Sequence, residues 1–149
     1  MSSAALARLM ARGAAFLGTD VAIMAGAMSW VSERHLVAAI SNAGGFGVIA
    51  CGAMTPELLD AEIAGTRALT DKPFGVNLIT MHPQLFDLIG VCAKHRVGHV
   101  VLAGGLPPAG SLDAIKGNGA RLLCFAPPLS LAQKLIPSGV DALVIEGME

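Results

Sequence analysis

The side chains best suited to holding a ligand in this chain stand at the ends of predicted strands. Gly26, Ala27 and Met28 follow one apolar run, Asn77 closes another, and Glu146 ends the last. Small residues let a flat ligand approach free backbone amides. A side-chain amide donates and accepts hydrogen bonds, whereas a carboxylate accepts them. Residue type alone leaves alternatives open: a flexible turn, an amide bonded to a neighbouring loop, and a solvated acid.

Candidates for covalent, acid–base or metal chemistry are weaker. His82 and Cys51 each follow a predicted strand, but a surface-loop histidine and a core thiol are the simpler interpretations. The other histidines lie on helices or at the opposite strand edge: His35, His95 and His99. The spacing shows neither a metal-ligand cluster nor a nucleophile paired with a base. We therefore predict no catalytic residue and no metal site within the 149 residues.

Short apolar runs alternate with helical stretches along the chain. Strands are predicted at Val21–Ala25, Gly47–Ala50, Phe74–Leu78, His99–Leu102, Arg121–Phe125 and Ala142–Glu146. Helices are predicted at Ser32–Asn42, Pro56–Leu69, Pro83–His95, Ser111–Gly117 and Leu129–Ile136. The repeat of about 24 residues has the size of one strand–helix unit. Strands rich in Val, Ile and Leu with helices between them predict a parallel sheet with right-handed crossovers.

Local signals mark the ends of several elements. Thr55-Pro56-Glu57 offers an N-cap, a first-turn proline and an acid near the positive end of the helix dipole, and Ser32-Glu33 offers similar signals. Gly44-Gly45-Phe46-Gly47 follows a helix and precedes a strand. A dinucleotide-binding fingerprint has its glycines after a strand and before a helix. We therefore interpret this cluster as a tight helix-to-strand return and not as a phosphate site.

Two architectures are compatible with this pattern, a doubly wound open sheet and a (β/α)8 barrel. The missing dinucleotide fingerprint favours the barrel, and six predicted strands fall short of its eight. We predict an α/β fold of TIM-barrel type, truncated to about six strand–helix units. Residues 1–149 would form a single partial-barrel domain, with an N-terminal helix over residues 1–18 and the barrel portion over residues 20–149.

Composition excludes several classes of partner. Hydrophobic residues make up 54% of the chain and charged residues 14%, with a net charge of −1. This is too apolar for disorder, and it gives no electrostatic footprint for nucleic acid or an anionic membrane. The three cysteines are widely spaced in apolar segments, which indicates core thiols in a reducing compartment. We expect a cytoplasmic protein.

Four ordered segments resemble one known family. They are Gly-Ala-Met-Ser-Trp-Val at 26–31, Ser-Asn-Ala-Gly-Gly-Phe-Gly-Val-Ile at 41–49, Leu-Thr-Asp-Lys-Pro-Phe-Gly-Val-Asn at 69–77, and Ala-Leu-Val-Ile-Glu-Gly-Met-Glu at 142–149. Together they resemble the nitronate monooxygenase family, formerly called 2-nitropropane dioxygenases. The related FMN-dependent enoyl-ACP reductases of type II share these motifs. The resemblance spans about residues 20–149.

This resemblance implies an FMN-binding TIM-barrel oxidoreductase. It places the backbone of Gly26, Ala27 and Met28 against the flavin, with Asn77 in a hydrogen bond to the cofactor and Glu146 beside it. In the monooxygenases an alkyl nitronate reduces FMN, and the reduced flavin then reacts with oxygen. In the reductases NAD(P)H reduces FMN, which then reduces an enoyl thioester. The first activity is our main hypothesis for a full-length parent, and the second is its alternative.

The chain also departs from the family pattern. Ala22 and Ala25 stand where the family usually has proline and glutamine, and the loss of that glutamine removes a polar group beside the ligand site. The family's next segment after Glu149 is an Ala-Gly-Gly-His turn with the catalytic histidine, followed by the loops that hold the FMN phosphate. We therefore expect an N-terminal fragment with little activity and weak or absent FMN binding. The competing hypothesis is a non-catalytic partial barrel that acts as a binding or assembly module, with homo-oligomers formed through exposed strand edges.

Overall fold

The elements follow the predicted order, with one exception at the start. The computed structural model describes residues 3–145. Its helices are α1 Ser3–Leu17, α2 Arg34–Asn42, α3 Pro56–Leu69, α4 Leu85–Lys94, α5 Ser111–Gly117 and α6 Leu129–Leu135, the last followed by a 3-10 turn at Ile136–Ser138. Its strands are β1 Gly47–Ala50, β2 Phe74–Ile79, β3 His99–Ala103, β4 Arg121–Phe125 and β5 Ala142–Val144.

The first predicted strand, Val21–Ala25, is wrong as an extended ladder. Only an isolated parallel bridge joins Met24 to Phe46. Just before it, the amides of Asp20 and of the next residue both donate to the Gly44 carbonyl at 3.1 Å. Consecutive amides of a strand point in opposite directions, so two of them cannot converge on one acceptor within a ladder. The segment therefore lies beside β1 as irregular backbone, joined to it by one β-bridge.

The sheet is parallel throughout, and its strands stand in chain order, β1-β2-β3-β4-β5. A doubly wound sheet reverses its strand order at a switch point, whereas a barrel adds each strand on the same side of the one before it. The prediction of a truncated barrel is therefore confirmed. The register pairs Ala50 with Asn77, Asn77 with Val101, and Val101 with Leu123. The carboxyl ends of four strands consequently meet at one edge.

Two apolar cores lie on the two faces of the sheet. The larger one packs helices against the outer face and includes Val76, Leu78 and Leu102. The smaller one fills the inner face near the amino ends of the strands, where Val48 and Val101 are buried. Burial on both faces explains why the strands are almost continuously apolar.

Helix α1 lies across the amino ends of β3 and β4. The Phe16 carbonyl accepts a hydrogen bond from His99 Nε2 at 2.9 Å and another from the Arg121 guanidinium. The Phe16 ring meets His99 edge to face, and the Arg121 guanidinium lies 5.0 Å from the centroid of that ring. Leu17 is buried in the inner core. One turn of α1 therefore closes this end of the sheet.

The glycine cluster before β1 is a helix-to-strand return, as predicted. Gly44 adopts φ +89°, a left-handed conformation that suits the end of α2. A Cβ on Gly47 would collide with the carbonyl oxygen of Val37, so β1 approaches α2 closely at that point. The cluster lies at the amino edge of the sheet, opposite the carboxyl ends of the strands.

Two helix starts show how reliable the capping signals are. Thr55 caps α3 as predicted, since its hydroxyl accepts from the Leu58 amide at 3.3 Å. The cap of α2 is Glu33, whose carboxylate accepts from the amides of His35 and Leu36 at about 3.0 Å. Ser32 does not cap that helix, because its hydroxyl points into the preceding turn.

Candidate active site

A cleft of about 550 Å³ opens at the carboxyl edge of the sheet. Its wall is built by strand ends and loops from five consecutive segments of the chain, and the lining includes Ala27, Asn77, Gly105, Phe125 and Leu131. A cleft of this size falls within the range of about 300–1,000 Å³ that small-molecule sites occupy. The carboxyl edge is also where barrel enzymes carry their chemistry.

Asn77 is the predicted site residue that the structure places best. It is 7% exposed and faces the cleft, while its strand neighbours Val76 and Leu78 face the helices. This alternation follows from the two-residue period of a strand. Its side-chain amide has no hydrogen-bond partner among residues 3–145. The amide can donate to one ligand atom and accept from another.

The predicted turn Gly26–Met28 borders the cleft through one of its residues. Ala27 lines the cavity, Met28 is 49% exposed, and a Cβ added to Gly26 would meet nothing within 4 Å. The buried Ser32 holds this turn in shape: its hydroxyl accepts from the Met28 amide at 3.0 Å and donates to the Gly26 carbonyl at 3.3 Å. The capping role predicted for Ser32 rested on the preference for serine at helix starts.

The cleft is also lined by a glycine pair that the sequence analysis did not select as a site. Gly104 and Gly105 follow β3, both have φ +103°, and both line the cavity. A Cβ on Gly104 would lie 3.0 Å from Thr80 Oγ1, whereas a Cβ on Gly105 would enter open space. The available signal was a Gly-Gly pair directly after an apolar run. Backbone at these two positions is therefore accessible to a ligand at close range.

Thr80 carries a buried hydroxyl without a partner. Its Oγ1 is the one buried side-chain polar atom without a hydrogen bond among the described residues. Thr80 is 5% exposed, and its backbone amide donates to the Ala103 carbonyl at 2.8 Å. The residue thus ties the end of β2 to the end of β3 while its hydroxyl stays unsatisfied, at an energetic cost.

The cleft wall contains no ionisable side chain in the part of the chain that the structure describes. Cys51 lies in the larger core, where burial raises the pKa of its thiol to about 12, so it is not a nucleophile at neutral pH. His82 does not line the cleft, and its Nδ1 accepts from the Gln84 amide at 3.1 Å. These positions agree with the structural interpretations of both residues.

Of the remaining histidines, His95 bonds Asp60 at 2.7 Å on the helical surface, and His99 holds α1. Within residues 3–145 no group of His, Cys, Asp and Glu side chains is arranged to hold a metal ion. No helix in the same part of the chain is both long and apolar enough to span a bilayer. The predicted cofactor residue Glu146 lies outside the described residues.

A second cavity, of about 440 Å³, lies at the amino edge beneath α1. Arg67, Lys72 and Arg121 line it, which at first indicates an anion site. Two of these cations are already engaged, because Arg67 donates to the His95 carbonyl and Arg121 to the Phe16 carbonyl at helix C-termini. Helix C-termini carry partial negative charge and oppose a bound anion. We therefore place the candidate active site at the carboxyl-edge cleft.

A parallel sheet in chain order, with a ligand-sized cleft at its carboxyl edge, is the architecture of α/β-barrel proteins. The family model described as "NMO: Nitronate monooxygenase" matches residues 11–95. The chain belongs to the nitronate monooxygenase family, whose members are oxidoreductases.

Individual relatives support this assignment. The chain is 33% identical over 135 residues to "(3aS,4S,5R,7aS)-5-hydroxy-7a-methyl-1-oxo-octahydro-1H-indene-4-carboxyl-CoA dehydrogenase" of Mycobacterium tuberculosis, covering 89% of this chain and 37% of the relative. It is 30% identical to a nitronate monooxygenase of Paraburkholderia phytofirmans, covering 89% of this chain and 47% of the relative. FabK from Thermotoga maritima superposes with a TM-score of 0.84 at 37% identity, over 92% of this chain and 44% of FabK. The chain thus spans less than half the length of these relatives.

Proposed function

We propose that this chain supplies one wall of an FMN site in an oxidoreductase of the nitronate monooxygenase family. The observation that carries the proposal is the juxtaposition of the Asn77 side-chain amide with small residues in one cleft at the carboxyl edge. Ala27, Gly52, Gly104 and Gly105 all line this cleft. A wall of small residues with a single amide suits a planar ring whose edge carries donors and acceptors.

The residues present fit such a ring. A Cβ added to Gly52 would lie 3.4 Å from Ser29 Oγ, so any larger side chain at this position would narrow the cleft. In this proposal the backbone of Gly26, Ala27 and Met28 lies along the ring, and Asn77 hydrogen-bonds its edge. Glu146 keeps its sequence-based assignment as a further cofactor contact.

The bound flavin would supply reversible transfer of electrons to and from the substrate. The chain's own residues would position and shield that reaction. Ser32 fixes the turn that faces the ring through its bonds to Gly26 and Met28. Apolar groups such as Ile79 and Phe125 exclude water from the cleft. No proton-transfer step is assigned to the described residues, because none of those lining the cleft is ionisable.

An alkyl nitronate is the proposed substrate of the whole protein, with a carbonyl compound and nitrite as products. The family model and the relative from Paraburkholderia phytofirmans support this choice through their names. A thioester is the second candidate, since the relative from Mycobacterium tuberculosis is named as a carboxyl-CoA dehydrogenase. That enzyme's name extends the enoyl-thioester alternative to CoA thioesters.

We also propose that residues 1–149 alone bind FMN weakly and hardly recognise its phosphate. The described wall offers ring contacts but no cationic side chain for a phosphate group. A reducing, cytoplasmic location and self-association through a strand edge complete the proposal. The three cysteines are free and buried, which suits such a compartment.

A flavin titration tests the cofactor proposal. Trp30 is the single tryptophan, no tyrosine is present, and Trp30 lies 71% exposed next to Ser29 of the cleft wall. Its fluorescence should be quenched by a bound flavin. We expect FMN and riboflavin to bind the 149-residue chain with dissociation constants within about threefold of each other, because the wall does not contact the phosphate.

The matched variants are Asn77→Ala and Asn118→Ala, since Asn118 is an exposed amide at the end of α5. Asn77→Ala should raise the dissociation constants of both flavins by about tenfold, as expected for one lost buried hydrogen bond. Asn118→Ala should leave both affinities unchanged. Binding of FMN far tighter than that of riboflavin would overturn the phosphate part of the proposal. Equal effects of the two variants would overturn the role of Asn77.

A further inference from the structure

The cleft has two chemically different walls. One wall carries hydrogen-bonding groups, namely Ser29, the Asn77 amide and the open backbone at Gly105. The second wall follows β4 and consists of Phe125, Pro127, Pro128 and Leu131. The four side chains of the second wall have no polar atom.

The backbone of residues 126–128 also offers no free donor for an anion. Pro127 and Pro128 have no N–H group. The amide of Ala126, between Phe125 and the prolines, is used in a bond to the Val144 carbonyl at 2.9 Å. A charged ligand group placed against Ala126, Pro127 and Pro128 would lose water without gaining a hydrogen bond from their backbone, which is unfavourable.

We propose that Phe125, Pro127, Pro128 and Leu131 form a subsite for the uncharged hydrocarbon body of the substrate. The inference rests on the proposed function, because the reacting end would face the wall that carries Asn77. The ligand class is an organic compound with several consecutive methylene or ring carbons beyond its reacting group. A compact anion alone, such as the smallest alkyl nitronates, leaves this wall unused.

The packing of Leu131 supports this assignment. Leu131 packs partly against the larger core and partly lines the cleft, so its cleft-facing surface is available to a ligand. Leu129, two residues earlier on the same helix, is 73% exposed and does not line the cleft. The two leucines therefore form a matched pair that differs in contact with the cleft.

The test measures binding of 2-alkanones with four, six, eight and ten carbons to the 149-residue chain by titration calorimetry, without flavin. We expect affinity to rise about two- to fourfold for each added methylene that becomes buried. Leu131→Asn should flatten this dependence, whereas Leu129→Asn should preserve it. An affinity independent of chain length, or equal effects of the two variants, would overturn the subsite.

Two further measurements keep the outcome decisive. If Leu131→Asn fails to fold by circular dichroism, Pro127→Asp replaces it, because Pro127 is exposed and its loss spares the core. That variant should also flatten the chain-length dependence. Riboflavin binding, followed through Trp30, should persist with 2-decanone bound, whereas mutual displacement would show that the alkanone occupies the flavin wall. If the 149-residue chain does not bind riboflavin but its affinity for alkanones still rises with their length, the proposed function is refuted and the hydrocarbon subsite is retained.

Discussion

At the scale of single residues, position along a strand decides which side chains face the cleft. Asn77 and Thr80 lie three residues apart at the end of β2 and point to opposite faces of the sheet. Asn77 reaches the cleft, whereas Thr80 lies behind the Gly104 turn with an unsatisfied hydroxyl. The strand's two-residue period predicts this division. It does not predict which polar group finds a partner.

Thr80→Val should stabilise the protein. The substitution replaces an unsatisfied buried hydroxyl by a methyl group of similar size, which should raise the free energy of unfolding by about 1 kcal/mol. Thr66→Val is the control, because the Thr66 hydroxyl is buried and donates to the Glu62 carbonyl at 2.8 Å. In that variant the free energy of unfolding should fall by about 1 kcal/mol. Denaturant unfolding measures both, and changes of the same sign would contradict the assignment.

At the scale of elements, the contact between α2 and β1 depends on the missing side chain of Gly47. Gly47→Ala should lower the free energy of unfolding by about 2–3 kcal/mol, because its Cβ would collide with the Val37 backbone. Gly90 lies in the middle of α4, and a Cβ added there would meet nothing within 4 Å. Gly90→Ala should therefore raise the free energy of unfolding by about 0.5–1 kcal/mol. Thermal and denaturant unfolding compare the two variants. Tolerance of Gly47→Ala would show that α2 can move away from β1 at little cost.

The attachment of α1 should depend on pH through His99. Burial lowers the pKa of His99, the hydrogen bond to Phe16 raises it, and nearby Arg121 lowers it further, with a net decrease. The unfolded chain then binds the proton more readily, so stability falls as pH drops below the unfolded pKa of about 6.5. Above about pH 7 the His99 contribution is constant.

His99→Gln is the test of that dependence. Glutamine can donate to the Phe16 carbonyl without titrating in this range. The wild type should lose stability as pH falls from about 7 to about 5, and the variant should not. The difference in unfolding free energy between the two should therefore change over this range. His35→Gln is the control, because His35 is exposed on α2. An unchanged difference across this range would contradict the role of His99.

At the scale of the whole molecule, the sheet is open in the part of the chain that the structure describes. β5 pairs with β4 on one side, and residues 3–145 provide no strand on the other. Ile145 beside this edge is 75% exposed. Unpaired strand edges with apolar side chains promote association between chains. This supports the proposal of self-association through that edge.

Ile145→Lys should weaken self-association of the 149-residue chain by at least about tenfold, because an edge lysine must be desolvated on pairing. Leu9→Lys is the control, since Leu9 is 72% exposed on α1, away from that edge. Sedimentation velocity over a range of concentrations gives the dissociation constants. A wild-type chain that stays monomeric, or equal effects of the two lysines, would refute association through β5.

The sequence by itself determined most elements, because their signals are local. The boundaries of β1, α3, α5 and β4 agree with the predicted ranges, and the position of Asn77 at the end of an apolar run made it a candidate site residue. Only the tertiary structure decided which groups share the cleft. Ser32 turns from a predicted helix cap into a brace for Gly26 and Met28, and the strand predicted at Val21–Ala25 is reduced to one bridge. Both outcomes depend on contacts between separate segments, which local propensity does not encode. The apolar wall after β4 likewise becomes recognisable only when folding places it in the same cleft as Asn77.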